Sequence, residues 1–334
     1  MKTARARAHA NIALIKYWGK RPGPLNLPAV GSLSITLDAL SSETTVSFDP
    51  SLDADAVRLD GRTDAGTTAK VSATLDLLRQ RAGLDWRARV DSANNFPTGA
   101  GLASSASGFA ALVVAADAAL GLGLPGTTLS ELARRGSGSA ARSIFGGFVD
   151  MARGQREDGS DAVAAPLLAG DAWPLRVVIA VTDRGEKKVS SRDGMALTAE
   201  SSPYFPAWVD GAEADLAEAR SAIAKRDFQK LAEVSEYSCL KMHASALAAR
   251  PGVLYFNPAT VALIHAVREL RDAGHPVFLT IDAGPQVKAV CLPEAEAAVA
   301  DALGQVPGVL DIICTGLGPA ATVLPLTAAE LASC

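Results

Sequence analysis

Lys16 and Lys20 stand four apart in Asn-Ile-Ala-Leu-Ile-Lys-Tyr-Trp-Gly-Lys, residues 11–20, with Tyr17 and Trp18 between them. The pair offers a grip for an anion, and it equally fits a strand end with solvated lysines. Residues 134–143, Arg-Arg-Gly-Ser-Gly-Ser-Ala-Ala-Arg-Ser, are well made for a polyanion. Glycines free the backbone amides to form a nest. Ser137 and Ser139 add hydroxyl donors, and Arg142 can hold a carboxylate or phosphate through two parallel bonds. A flexible turn is the plain alternative. Residues 186–195, Glu-Lys-Lys-Val-Ser-Ser-Arg-Asp-Gly-Met, set Lys187, Lys188 and Arg192 beside Ser190 and Ser191. That is an anion site or an ordinary polar loop. Asp282, at a predicted strand end before Ala-Gly-Pro, can serve as a general base or simply form the turn.

A fifth segment is richer still. Residues 93–108, Ala-Asn-Asn-Phe-Pro-Thr-Gly-Ala-Gly-Leu-Ala-Ser-Ser-Ala-Ser-Gly, run straight into the apolar stretch Phe109–Leu120. A glycine- and serine-rich turn that opens a helix points backbone N–H groups and the positive end of the helix dipole at an anion. The expectation is a nucleotide phosphate site in an enzyme that uses ATP. No Gly-Lys-Ser/Thr follows as in a Walker A loop, and Ser104 stands where a dinucleotide fingerprint needs its third glycine. Small residues packed at a helix start are the alternative.

The rest of the chain must position these groups. With 334 residues, 49% of them hydrophobic, it can form two domains with a sizeable core. A formal net charge of −4 argues against a nucleic-acid partner. The basic stretch around Lys2, Arg5 and Arg7 has no long apolar run, so no signal peptide is expected. Nor does any apolar run reach membrane-spanning length. Cys239, Cys291, Cys314 and Cys334 show no metal or disulfide spacing. They read as buried small hydrophobes in a reducing cytoplasm, with Cys334 simply terminal. His9 reads as a surface residue at a strand end, and His243 as packed on a helix.

Strands are predicted at Ser34–Leu37 and Thr44–Phe48, joined by a turn at Ser41–Ser42, and at Val57–Leu59, Arg87–Ser92 and Phe148–Arg153. Periodicity predicts helices over Thr68–Ala82, Leu102–Leu120, Ser130–Gly136, Val209–Lys225 and Phe228–Leu247. Asn257-Pro258 signals a further helix start. The second half reads as an antiparallel sheet backed by helices, an α+β arrangement. A composition shift at Gly170–Pro174 suggests domains over residues 1–170 and 171–334.

Together these segments resemble the diphosphomevalonate decarboxylases of the GHMP small-molecule kinase superfamily. The matching stretches are Asn-Ile-Ala-x-x-Lys-Tyr-Trp-Gly-Lys, Leu25-Asn26-Leu27-Pro28, Asn-Asn-Phe-Pro-Thr, Gly-Ser-Gly-Ser-x-x-Arg-Ser, Ser-Ser-Arg-x-Gly-Met, Lys241-Met242-His243-Ala244 and Asp-Ala-Gly-Pro. They follow the family's order from residue 9 to about 290. The resemblance implies an N-terminal domain like ribosomal protein S5 and a ferredoxin-like C-terminal domain, with the active site between them. The implied reaction converts mevalonate 5-diphosphate and ATP to isopentenyl diphosphate, CO₂, ADP and phosphate, through phosphorylation of the 3-hydroxyl.

By the same resemblance Asp282 is the base, Lys16 stabilises the transferring phosphoryl group, and Arg142 holds the substrate carboxylate. Tyr17, Lys20, Ser137, Ser139 and Arg192 hold the 5-diphosphate, and Ser191 contacts substrate or γ-phosphate. Asn94, Pro97, Gly99, Ala100, Gly101, Leu102, Ala103, Ser104, Ser105 and Ser107 form the ATP site. Ser104 or Ser105 lies near a Mg²⁺ carried by ATP. The family also allows a homodimer, although no interface stripe is visible in the sequence. Three departures stand out: Val30-Gly31-Ser32 where the family often has Asn-Ser-Ser, Gln286 where Asn usually follows Asp-Ala-Gly-Pro, and Ala141 in place of a frequent Cys. Alternatives are a relative that takes mevalonate 5-phosphate, a 3-kinase that does not decarboxylate, and an ATP-binding sensor on the same fold.

Overall fold

The structure is a computed structural model and describes residues 1–96, 104–185 and 187–327. Its first layer begins with β1 (Lys2–Ile15) and β2 (Ser32–Asp49), paired antiparallel over most of their length. β3 (Ala56–Leu59) then runs parallel to β4 (Arg87–Asn94), which pairs antiparallel with β2. β5 (Phe148–Met151) adds to the first half of β2, and β6 (Ala164–Leu168) pairs with β5. The expected turn at Ser41–Ser42 is absent: β2 runs through it. Instead the β1–β2 register slips between His9 and Asn11, where the partners jump from Ser41 to Thr36. Such a bulge turns a strand's faces over. Ala6 and Ala8 accordingly join one core, and Ala10, Ile12 and Leu14 another.

The outer face of this sheet is covered by α1 (Ala65–Ala82), α2 (Ser104–Leu120) and α3 (Gly126–Gly136). α2 is mostly alanine, valine and leucine after its serine-rich first turn. Its small side chains let it lie close against Val46, Phe48 and Val90 of the sheet.

The second layer is the antiparallel sheet β10–β7–β9–β8, made of β7 (Arg176–Val181), β8 (Val277–Ile281), β9 (Val287–Cys291) and β10 (Asp311–Gly316). α4 (Ser191–Ser201) follows β7. The antiparallel pair α5 (Phe205–Lys225) and α6 (Phe228–Leu247) lies between the two sheets. α7 (Pro258–Asp272) and α8 (Glu296–Gly304) cover the far side. α7 starts as expected: the Asn257 side chain accepts from Thr260 N at 2.8 Å, and Pro258 is the first helical residue. One core joins the halves, with Ile12, Leu14 and Ile35 packed in the same cluster as Val177, Ile179, Leu216, Ile223, Phe278 and Val290. The last described strand, β11 (Thr322–Leu324), returns to pair with β1.

Two readings of single residues are corrected. His9 is buried, its Nδ1 2.9 Å from the Asp38 carbonyl oxygen, because the bulge turns it inward. Cys239 and Cys291 are buried as expected, but Cys314 is exposed because β10 is an edge strand.

Candidate active site

β1 ends at a cleft of about 650 Å³. Its lining brings together Lys16, Tyr17, Lys20, Ser104, Ser105, Ser137, Ser139, Arg142, Ser191, Arg192 and Asp282. Groups separated by more than 260 positions in sequence thus face one space.

The residue after β8 is Asp282, and its position is set by the hairpin that β8 makes with β9. Its Oδ1 accepts from Lys16 Nζ at 2.8 Å, and its Oδ2 lies 3.3 Å from Lys288 Nζ. Lys16 is no solvated strand end: it is 2% exposed, and its ammonium also donates to the Ala13 carbonyl at 2.8 Å. The strand behind Asp282 is pinned by α6. Ile281 N donates to Cys239 Sγ at 3.1 Å, and His243 Nε2 lies 3.1 Å from the Ile281 carbonyl. Burial pushes His243 down to about 3, so its ring is neutral and packs beside Tyr255 and Phe256. For Asp282, burial acts to raise the pKa, but the Lys16 and Lys288 charges outweigh it. Together they hold the carboxyl well below its usual range. The group is therefore an anion at any pH at which the protein would work.

The Gly-Ser-Gly-Ser segment, rather than a loose turn, joins the end of α3 to a 3₁₀ helix, Gly138–Ile144. Its glycines answer to space, not to an unusual backbone angle. A Cβ on Gly138 would fall 2.1 Å from Tyr17 Oη, and one on Gly136 2.2 Å from Phe109 Cδ1. That helix carries Arg142 to the cleft, 2% exposed. Its Nη1 donates to Ser32 Oγ at 2.8 Å and its Nε to Asn11 Oδ1 at 3.2 Å, while its guanidinium sits over the Tyr17 ring. Asn11 in turn donates to Ser143 Oγ and the Ser139 carbonyl. Burial lowers the Arg142 pKa to about 10, which still leaves it charged. Among the described residues it has no carboxylate partner. Burial also raises Tyr17 to about 12, and its buried hydroxyl has no hydrogen-bond partner among the described residues.

Lys20 donates to Asn26 Oδ1 at 2.7 Å. Burial first, then the charges of Arg192 and Lys70, lowers its pKa to about 8. The polar segment before Met195 proves to be a helix start. Ser190 caps α4 by accepting from Asp193 N at 3.1 Å, and Lys187 Nζ donates to Ser191 Oγ at 3.2 Å. The N-termini of α2 and α4 both open on the cleft, as anion sites do. Ser105 Oγ lies 3.2 Å from Ser137 Oγ, which links the first of these to the 3₁₀ helix.

Two residues expected at the nucleotide are not in the cleft lining. Ser107 is fully buried with its Oγ 2.7 Å from Ser42 Oγ, and Asn94 donates to Asp60 Oδ2 at 3.1 Å beyond the cleft lining. Pro97, Gly99, Ala100, Gly101, Leu102 and Ala103 fall outside the described residues. Sequence reading missed Lys288, Lys70, Asn11 and Ser32. Lys288 did carry a signal, as the one charge in Val-Lys-Ala-Val-Cys, otherwise a core strand. Lys70, exposed near the start of α1, carried none.

The departures also have local reasons. Gly31 N donates to Glu213 Oε1 at 3.1 Å, and a Cβ there would lie 2.5 Å from Leu216 Cδ2, so α5 approaches too closely for serine. Gln286 is buried and accepts from Thr182 N at 2.6 Å; its longer reach joins β9 to the end of β7.

Residues 8–164 match the diphosphomevalonate decarboxylase-like N-terminal domain, and residues 177–311 the mevalonate 5-diphosphate decarboxylase C-terminal domain. A diphosphomevalonate decarboxylase from Ganoderma lucidum is 39% identical over 84% of this chain and 76% of its own length. The Homo sapiens enzyme is 38% identical over 83% of this chain and 74% of its own. Among solved structures, a mevalonate diphosphate decarboxylase from Staphylococcus aureus superposes with a TM-score of 0.90 at 40% identity, covering 97% of this chain and 98% of that one. A structure of MDDEF in complex with MVAPP, AMPPCP and magnesium gives a TM-score of 0.90 at 41% identity, over 97% and 99% of the two chains. With both halves matched, and with the motifs assembled around one cleft, the chain belongs to the diphosphomevalonate decarboxylase family.

Proposed function

We infer that this cleft converts mevalonate 5-diphosphate and ATP to isopentenyl diphosphate, CO₂, ADP and phosphate, with Asp282 as the group that receives the 3-hydroxyl. The single observation behind the inference is the Lys16–Asp282–Lys288 cluster in a cleft whose other cations, Lys20, Lys70, Arg142 and Arg192, form no ion pair among the described residues. The relatives that carry this name, and the complex with MVAPP, AMPPCP and magnesium, support the same reaction.

The reaction asks for two things. A tertiary hydroxyl leaves poorly, so it is first phosphorylated. Loss of that phosphate then leaves C3 electron-poor. The C1–C2 bonding pair moves to form the new double bond as CO₂ departs. Phosphoryl transfer depends mainly on position and charge neutralisation. Asp282 suits that demand: a fixed anion can accept a hydrogen bond from the 3-hydroxyl and align it, though it is a weak base. As the 3-hydroxyl oxygen bonds to the γ-phosphorus and the bond to ADP breaks, its proton passes to Asp282, while Lys16, donating to Asp282 Oδ1, faces the incoming phosphoryl group. Arg142 has one face committed to Ser32 and Asn11 and is directed at the substrate carboxylate. Tyr17, Lys20, Ser137, Ser139 and Arg192 take the 5-diphosphate. Ser191, at the first turn of α4 with Lys187, meets the γ-phosphate.

ATP and Mg²⁺ serve as co-substrate and cofactor. Among the described residues there is no cluster of three His, Cys, Asp or Glu side chains able to hold a metal. Hydroxyls such as Ser104 and Ser105 beside a phosphate site suit Mg²⁺, which is usually held mostly by phosphate and water. When bound, it neutralises charge on the β- and γ-phosphates. The domain division is placed near residue 170, with residues 322–324 returning to the first sheet. Cytoplasmic location and a homodimer complete the proposal; the unpaired Cys239 and Cys291 favour a reducing compartment.

The test offers mevalonate, its 5-phosphate and its 5-diphosphate to the purified protein with Mg²⁺ and ATP. Equal CO₂ and ADP from the diphosphate alone is the expected result. Turnover of the monophosphate alone would change the substrate. ADP without CO₂ would make the protein a 3-kinase, and no ADP at all would leave only binding.

A further inference from the structure

We propose that Lys288 is a positioning residue for Asp282: from behind the carboxylate it fixes Oδ2 and keeps the group ionised, so that Oδ1 alone, shared with Lys16, meets the cleft. This rests on the assignment of Asp282 to the reacting hydroxyl.

Lys288 sits in the middle of β9, opposite Thr280 of β8 and Ile179 of β7. Its neighbours on that face are Phe278, Val290 and Ile179, all members of the central apolar core. An ammonium in such a place is costly unless it is paired. Its side chain is 1% exposed, against 25% for Asp282. Lys288 does not line the cleft, whereas Asp282 and Lys16 do. It therefore cannot touch a substrate, and any part it plays passes through the carboxylate 3.3 Å away.

Two ammoniums on one carboxylate also divide the work. Lys16, which lines the cleft with Asp282, donates to Oδ1 and to the Ala13 carbonyl, and is the ammonium that a bound phosphoryl group would draw. As Lys16 turns toward that group, Asp282 loses part of its counter-charge. Lys288 is the charge that stays. With it in place the carboxylate remains an anion throughout the approach of ATP. Without it, a half-buried carboxyl would face the incoming negative charge and take up a proton.

Other groups act on Asp282 as well. Lys187 and Arg142 add positive charge from the α4 side and the 3₁₀ helix. Cys239 and the neutral His243 face it from α6. None of these has an ion-pair contact with Asp282; among the described residues Lys16 and Lys288 are the two that do.

The experiment titrates the protein labelled with ¹³C at the aspartate carboxyls. The Asp282 resonance is assigned by its loss in Asp282→Asn. In the parent protein Asp282 should stay ionised below the ordinary aspartate range. In Lys288→Met its midpoint should rise by more than about one pH unit, the usual effect of removing a close opposite charge. The acid limb of kcat should move up by a similar amount, with KM for ATP and for the diphosphate changed less than about twofold, as expected for a group that makes no contact with either ligand. Lys288→Arg, which keeps the charge, should bring the limb back. An unmoved midpoint in Lys288→Met would overturn the proposal. So would an ordinary Asp282 midpoint in the parent, a reading that needs no folded variant. Reduced kcat with an unchanged pH profile would also count against it, as the mark of a merely structural lysine. Because the titration needs no substrate, failure of the assigned reaction would appear separately, as absence of CO₂ from the parent protein.

Discussion

The two ends of the cleft treat charge in opposite ways. At the Asp282 end, two buried ammoniums share one carboxylate, and the strand that carries it is pinned by Cys239 and His243. Away from Asp282, Lys20, Lys70 and Arg192 line the same space and, among the described residues, form no ion pair. Arg142 is anchored by neutral groups, Ser32 and Asn11. The first end is complete before ligand arrives, because the reacting hydroxyl needs an acceptor already in place. The second end has excess positive charge that only an anionic ligand can balance. ATP, a diphosphate and a carboxylate bring roughly seven or eight negative charges, which this chain of net charge −4 must meet locally. Pre-formed geometry therefore belongs to the chemistry, and uncompensated charge to the binding.

The largest effect that tests this contrast comes from Asp282→Asn. Turnover should fall by about 10²–10⁴-fold, the usual cost of removing a positioned proton acceptor. The variant should still bind ATP and the diphosphate, since their charges are met at the other end. It should also be less stable, because Lys16 and Lys288 then face each other without a counter-charge, a loss of about 3–5 kcal/mol for a buried pair. Calorimetric binding and thermal unfolding check both parts. Loss of binding together with turnover would erase the distinction between the two ends.

Arg142→Lys comes next. The charge remains, but Nε and Nη1 can no longer hold Asn11 and Ser32 while the fork faces the cleft. Losing a charge-assisted bond costs about 1.5–3 kcal/mol, so kcat/KM should fall roughly 10- to 100-fold. Near-parent turnover would remove Arg142 from the mechanism.

Much of this site could be read from residue types in order, because phosphate-binding loops and strand-end acids use few residue kinds at fixed spacing. What the sequence hid is of two kinds. The exchange of faces at His9–Asn11 depends on how β1 meets β2, and no local pattern in either strand encodes it. That exchange sets Asn11 on the 3₁₀ helix side and buries His9. The second kind is pairing across the fold. Lys288 looks like a misplaced charge until β8 sets Asp282 beside it, and Ser32 looks like an ordinary serine after the departures at Val30 and Gly31 until Arg142 reaches it. Spacing can suggest that a glycine is needed at 138, but only the neighbouring Tyr17 ring shows why.

The smallest effect is the one that probes the unbalanced end most directly. Lys20 has its pKa lowered to about 8, by burial and then by repulsion from Arg192 and Lys70. Below that pH it is an ammonium, and above it an amine. A bound diphosphate favours the charged form, so its affinity should be full near pH 7 and decline as pH passes through 8. The loss should reach about tenfold, the value of one charged hydrogen bond. Binding near pH 8 should also take up a fraction of a proton, visible as a dependence of the calorimetric heat on the buffer's ionisation enthalpy. Lys20→Met should abolish that uptake and flatten the pH dependence. It should also raise the unfolding temperature of the ligand-free protein slightly, because one of three repelling cations is gone. The same removal of a charge at the Asp282 end lowers stability. A ligand-free Lys20→Met protein less stable than its parent would mean that the far end, too, is balanced before ligand arrives.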